Sequence, residues 1–393
     1  MMKNLKNYIR GTLTAVILLL VFVMGCSDLS GGGGCSGTQA QGWSGFAAYQ
    51  KDICFGSMEG RVIALNPQAR SDNKTFPADT EWVYIIKTSA PGAACGALCT
   101  PSASAAGQGI YGTPAVVGDL IYVGTYTGKI YALNASRGVV RWIYPREALD
   151  SVGAIVGSIV TDNQSLFFAS SNGKVYCLDA ATGDYKWEYQ TSNKIWITPT
   201  LDNGILYLGN YGGEVFALAA DTGRPVWNVQ VPSAVASSIA VDGDVLYFGT
   251  FDSYLHAVDK ATGQEKWKYQ GGNWFWAKPV VKDGKIYAAC LDSKLYALDT
   301  SGNELWKYVA DSPLVSTPAI AGTAIYLVGD KGMLYKVDIQ SGAEITRTPV
   351  GYTVFSNPYV DGDMVYVYAR DHNVYAVDMA RGVVVWKFSS YLK

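Results

Sequence analysis

The chain is poor in charge: Asp, Glu, Lys and Arg together make up 16% of its 393 residues, and the formal net charge is −2. No basic block or stripe stands out, which argues against nucleic acid as a partner. Histidine is scarcer still. His256 and His372 are the only two, and at that separation they outline neither a metal site nor a Ser/His constellation. Cysteine occurs seven times, never as an adjacent pair and never at a spacing that suggests zinc. No long amphipathic helical pattern is present. The extended apolar run Leu13 to Met24 is too short to span a bilayer comfortably. These absences leave a chain rich in what strands and turns use: 43 Gly, 27 Tyr and 11 Trp.

The tryptophans are periodic. Aligning on apolar-Tyr-Ala-Leu-Asp, a Thr-Gly turn and then Trp places Trp142, Trp187, Trp227, Trp267, Trp306, Thr346 where Trp is expected, and Trp386, at spacings of 45, 40, 40, 39, 40 and 40 residues. A degenerate first copy, Arg61 to Asn66 with an insertion before Trp82, brings the count to eight. A period of about 40 residues marks a solenoid, array or propeller. In one unit the alternation predicts strands over Ser238–Val241, Val245–Gly249, Tyr254–Val258 and Glu265–Tyr269. Asp242-Gly243 is the expected first hairpin, with equivalents at Asp283-Gly284 and Asp361-Gly362, and Thr262-Gly263 the second tight turn. One such sheet cannot bury both its faces alone. Eight packed radially can do so and leave only short edges. The expectation is an all-β, eight-bladed β-propeller of four-stranded antiparallel blades over residues 43–393, monomeric. Asp179, Asp259, Asp299, Asp338 and Asp378 recur once per unit, so they belong to the turn and not to catalysis.

Ala257, Asp259, Thr262, Gly263 and Trp267 reproduce the docking motif Ala-x-Asp-x-x-Thr-Gly-x-x-x-Trp of the PQQ-type, quinoprotein-like propeller repeat. The chain resembles that family from about residue 43 to 390. No Trp is followed by Asp, which makes a WD-type repeat the weaker match. The resemblance implies the fold far more than the function.

Residues 1–25 read as an export signal: a basic start with Lys3, Lys6 and Arg10, then the apolar run. It ends in Val23-Met24-Gly25-Cys26, which resembles a bacterial lipobox and implies lipidation of Cys26 and a stable membrane anchor. Without the leader the chain carries 28 basic and 33 acidic residues, a net charge of −5. Residues 26–42, with Gly31 to Gly34 unbroken, form a lipidated, flexible tether. The expected location is the cell envelope: the outer membrane if the cell has one, otherwise the outer face of the cytoplasmic membrane. In that oxidising setting Cys95 and Cys99, inside the Gly/Ala-rich insert Ala90 to Gly109, are a candidate disulfide, and Cys35 with Cys54 a second pair. Cys177 and Cys290 read as buried free thiols.

Departures from the repeat point to function. Four tryptophans lie outside the docking position, Trp43, Trp196, Trp274 and Trp276, all in connections that lead into an inner strand. Completing the position of Trp43 around the ring gives Trp43, Tyr111, Val156, Trp196, Ala236, Trp276, Val315 and Phe355. Inner strands line a propeller's channel, so this set is expected to form a ring at one mouth. Trp274, Phe275 and Tyr352 lie close by, and Tyr126, Tyr211 and Phe251 join from the connection between second and third strands. Below lies a mostly hydroxyl-bearing ring, Gly45, Thr113, Ser158, Thr198, Ser238, Lys278, Thr317 and Asn357, with Lys278 its one cation. An aromatic, concave mouth suits a partner or ligand; packing of the same rings as a plug is the plainer alternative. His256 stands at an apolar strand position and reads as structural.

Three functions remain open. The first is a non-catalytic, lipid-anchored scaffold with an envelope protein partner. Within the family it resembles the lipoprotein propellers of outer-membrane β-barrel assembly, with Trp196, Trp274, Phe275, Trp276 and Tyr352 as anchors on the partner face. The second is a quinoprotein dehydrogenase, which implies PQQ and calcium. Such enzymes carry an adjacent Cys pair and longer insertions, absent here, so no cofactor, metal or catalytic residue is expected. The third is a receptor for a small or glycan ligand stacked on the Trp ring.

Overall fold

The computed structural model describes residues 44–87, 109–147 and 151–392. Thirty-two strands form eight four-stranded antiparallel sheets, each built from strands consecutive in the chain. The blades span 46–85, 115–144, 160–190, 200–230, 240–270, 280–309, 319–349 and 359–389. The expected eight-bladed propeller is therefore what forms, with no strand exchanged between its first and last blades.

Burial follows position in the blade. Second and third strands such as Val245–Gly249 and Tyr254–Asp259 are buried almost throughout, because a neighbouring blade covers each face of the sheet. Such strands read as continuous apolar runs. Outer strands such as Glu265–Gln270 alternate between solvent and the neighbour. Two of the three expected hairpins are displaced by one residue, and the third forms at Asp283-Gly284 as expected. Asp242 pairs with Val245, so Gly243-Asp244 is the turn, with Gly243 at φ +54°. At Asp283-Gly284 both residues take positive φ, as an Asp-Gly hairpin requires. The inner strand of the fifth blade begins at Ala240; Ser238 lies before it, its hydroxyl accepting from Thr198 of the preceding blade.

Tryptophan and glycine make the joints between blades. The indole N–H of Trp82, Trp142, Trp187, Trp227 and Trp267 donates to Ala135, Ala180, Ala220, Lys260 and Thr300 O of the next blade, at 2.9–3.2 Å. The ring lies over the turn glycine of that blade. A Cβ on Gly223 would fall 2.5 Å from Trp187, and one on Gly263 2.8 Å from Trp227. Both glycines also hold positive φ, so the turn needs Gly twice over. The preceding Asp ties the turn: Asp259 Oδ1 accepts from the Ala261 and Thr262 N–H and from the Thr262 hydroxyl. This is the structural role expected of the recurring aspartates. At blade 7, Thr346 leaves the Gly382 site without an indole; its Oγ1 is 3.4 Å from a Cβ there.

Ring closure uses the insertion of the first copy. It holds the short helix α1, Pro67–Ser71, capped by the Asn66 side chain, which accepts from the Gln68 and Ala69 N–H. Arg70 on α1 pairs with the buried Glu81 at 2.7 Å and lies over Phe388 of blade 8, which also meets Phe76 at 4.9 Å. The tail completes the seal: Arg61 donates to Ser390 O at 2.5 Å and Leu392 O at 2.9 Å. Cys54, considered above as a partner for Cys35, is instead a free thiol with no exposure; burial pushes its pKa up to about 12. Cys177 and Cys290 are buried and free, as expected.

Candidate functional site

Among the described residues, the connections into the inner strands of blades 2 to 8 are built to one plan. A backbone N–H at the turn between second and third strands donates to the connection: Tyr126 to Gly109 O, Tyr211 to Lys194 O, Phe251 to Ala234 O and Leu291 to Trp274 O, at 3.0–3.1 Å. The next residue is a buried apolar anchor: Ile110, Ile155, Ile195, Val235, Phe275, Leu314 or Val354. Then comes the rim residue, and two further on the polar ring.

This plan corrects the reading of Phe275. Expected at the partner face, it is wholly buried and occupies the anchor position of its blade. Two glycines make room for the larger side chain. A Cβ on Gly249 would meet Phe275 Cβ at 2.4 Å, and one on Gly271 would meet its ring at 2.7 Å. The ring packs on Tyr296 at 5.8 Å. Phe275 thus wedges adjacent blades and is not offered to a partner.

The other rim residues converge. A funnel of about 160 Å³ is lined by Tyr111, Val156, Trp196, Ala236, Trp276, Val315 and Phe355, with Tyr126 and Tyr211 beside them. Below them it is lined by Gly45, Thr113, Ser158, Thr198, Ser238, Lys278, Thr317 and Asn357. On one side the rings run in contact: Trp196 to Tyr211 at 5.0 Å, Tyr211 to Phe251 at 5.5 Å, and Phe251 to Trp274 at 4.7 Å and to Trp276 at 5.8 Å. This arc crosses blades 4 to 6 and its members are half-buried. Lys194 caps it, its ammonium 4.4 Å from the Trp196 ring and 4.8 Å from that of Tyr211, a favourable cation–π geometry. Lys194 was not singled out from the sequence. The signal was available, since it holds the position of Trp274 two repeats earlier. Tyr111 and Tyr126 form a second aromatic pair at 5.3 Å. Tyr352 is 53% exposed, the most open of the expected anchors. Trp43, Cys26, Cys95 and Cys99 lie outside the described residues.

The polar ring is a chain of inter-blade hydrogen bonds. The Thr113, Ser158 and Thr198 N–H donate to Ser158 Oγ, Thr198 Oγ1 and Ser238 Oγ, and the Thr317 N–H to Asn357 Oδ1, at 2.8–2.9 Å. The hydroxyls therefore hold adjacent blades as well as wetting the funnel. Lys278 stands in this ring, and burial holds its pKa below the ordinary lysine range. Among the described residues no Asp or Glu lines the funnel, and no group of three or more His, Cys, Asp and Glu side chains is placed to hold a metal ion. An ammonium without a carboxylate does not suit the calcium that a quinoprotein reading implies. His256 is structural, as expected: it is buried, Nδ1 meeting Glu265 Oε2 at 2.8 Å and Nε2 meeting Thr250 Oγ1 at 3.1 Å.

Among solved structures, BamB from Moraxella catarrhalis superposes with a TM-score of 0.62 at 19% identity, covering 71% of this chain and 88% of that one. The computationally designed protein Ika8 superposes with a TM-score of 0.68 at 14% identity, covering 87% and 97%. At these identities the likeness is one of fold. No curated protein matches the chain by sequence. Residues 104–379 match the family described as the β-propeller of beta-alanine-activating enzyme. That span exceeds half of the chain and runs from the insert before blade 2 into blade 8, so the protein belongs to this family of PQQ-like β-propellers.

Proposed function

We propose that the protein is a non-catalytic scaffold, exported and lipid-anchored through Cys26, that presents its aromatic rim to an envelope protein partner in outer-membrane protein assembly. The observation that carries this reading is the arc from Trp196 to Trp276, capped by Lys194. Half-buried aromatic rings held rigidly around a concave mouth are what interaction hot spots use, since they bury much area at little entropic cost. The shared fold with BamB and the lipobox-like Val23-Met24-Gly25-Cys26 support the envelope setting. The family description names an activating enzyme, but the matched part is its propeller. The funnel's lining of hydroxyls, aromatics and one lysine supplies no paired acid and base for catalysis.

The test is purification of the tagged full chain in mild detergent beside a Trp274→Ala/Trp276→Ala variant. The expected result is an envelope protein that accompanies the parent and is lost from the variant, while both melt alike. Retention of every companion by a folded variant refutes the face. Cys26→Ser is expected to release the protein from the membrane fraction.

A further inference from the structure

Four joints of the polar ring carry a backbone N–H bonded to a side-chain oxygen of the next blade, and the joint between Ser238 and Lys278 does not. Where the Thr113, Ser158, Thr198 and Thr317 N–H each find a side-chain oxygen on the next blade, the corresponding oxygen for Ser238 would have to come from position 278. Lysine has three donors and no acceptor, and the Ser238 N–H finds no other acceptor among the described residues. Lys278 itself makes no ion pair or hydrogen bond among the described residues. The joint therefore presents two kinds of donor, the Ser238 N–H and the Lys278 side chain, to a cavity whose lining among the described residues holds no carboxylate. A hydroxyl here would close the joint, as it does at Ser158, Thr198 and Ser238.

We propose that this joint binds a carboxylate group that enters through the aromatic mouth. A single ammonium matches a monoanion, and the Ser238 N–H and Lys278 can each take one oxygen of a carboxylate, a charge-assisted pairing stronger than a neutral one. The funnel's volume of about 160 Å³ admits on the order of ten waters, hence a small group and not a long chain. Trp276, Trp196 and Phe355 above it suit the carbon skeleton that bears the charge. The hydroxyls of Thr198 and Thr317 complete a polar floor. This inference rests on the ring and not on the docking of a partner at the rim.

The experiment is calorimetric titration of the full chain in detergent with benzoate, with neutral benzamide, and with end-blocked Gly-Glu-Gly, each repeated on Lys278→Thr. Threonine restores the acceptor that other ring positions carry, so this variant is expected to melt no lower than the parent. Binding of benzoate or of the glutamyl peptide, weakened roughly tenfold or more in Lys278→Thr and absent for benzamide, supports the site. Benzoate alone points to a free small carboxylate, the peptide alone to an acidic side chain of a protein. Binding of benzamide as tight as benzoate, unchanged binding in Lys278→Thr, or no binding of either anion overturns it. Those outcomes leave the rim test with Trp274 and Trp276 untouched, so the two readings fail separately.

Discussion

Replacing Trp227 by threonine makes blade 4 resemble blade 7, where Thr346 already stands at the docking position. Trp227 donates to Lys260 O at 3.0 Å, lies on Gly263, and meets the Tyr207 ring at 6.1 Å. Truncating a fully buried Trp or Phe costs about 3–5 kcal/mol. Trp227 is only half-buried and threonine keeps part of the volume, which lowers the figure. The lost hydrogen bond contributes about 1 kcal/mol. The sum expected for Trp227→Thr is about 2–3 kcal/mol. The assay is urea denaturation of the full chain followed by far-ultraviolet circular dichroism, which does not depend on the deleted fluorophore. The midpoint is expected to fall with the slope unchanged, because the ring still unfolds as a unit. An unfolding free energy within about 0.5 kcal/mol of the parent would falsify the claim that indole and glycine hold the blades together.

The converse substitution fills an empty place. Thr346→Trp meets a Gly382 that keeps its positive φ of +68° and is expected to raise stability by about 1 kcal/mol, read from the same denaturation curve; a drop would show that Thr348 and Met379 already fill the space. The pH dependence follows from His256. Burial lowers its folded-state pKa below the ordinary 6.5, with Glu265 acting more weakly in the opposite sense. Below pH 6.5 the unfolded chain takes up a proton that the folded one resists, so stability is full above that pH and declines as pH falls toward the folded value. His256→Tyr is expected to flatten this decline between pH 6.5 and 5, and a curve unchanged by the substitution would refute the assignment.

Much of this architecture was legible in the chain. The blade count came from the spacing of Trp142 to Trp386, and the turn role of Asp259 and its equivalents from their recurrence. The two rings of the funnel came from laying copies on one another, because equivalent positions of a closed repeat occupy equivalent heights. What misled was a local departure judged by residue type alone. Phe275 looked like an addition to the aromatic face, but it is the anchor that Ile195 and Val235 supply in other blades. The hairpin at Asp242-Gly243 slid by one residue because glycine can open the turn as well as close it.

Composition, alternation and period by themselves determined the all-β class, the four-stranded unit and the eightfold ring, since each is a property of short segments repeated along the chain. Tertiary structure decided what lies between segments. It buried Phe275 against Gly249 and Gly271, set Lys194 over Trp196, and joined α1 and the tail to close blade 1 on blade 8. It also left Lys278 facing the funnel at a position where Ser158, Thr198 and Ser238 supply acceptors in other blades. Those outcomes depend on which faces meet when sheets pack radially, and the repeat specifies that meeting only where every blade obeys it.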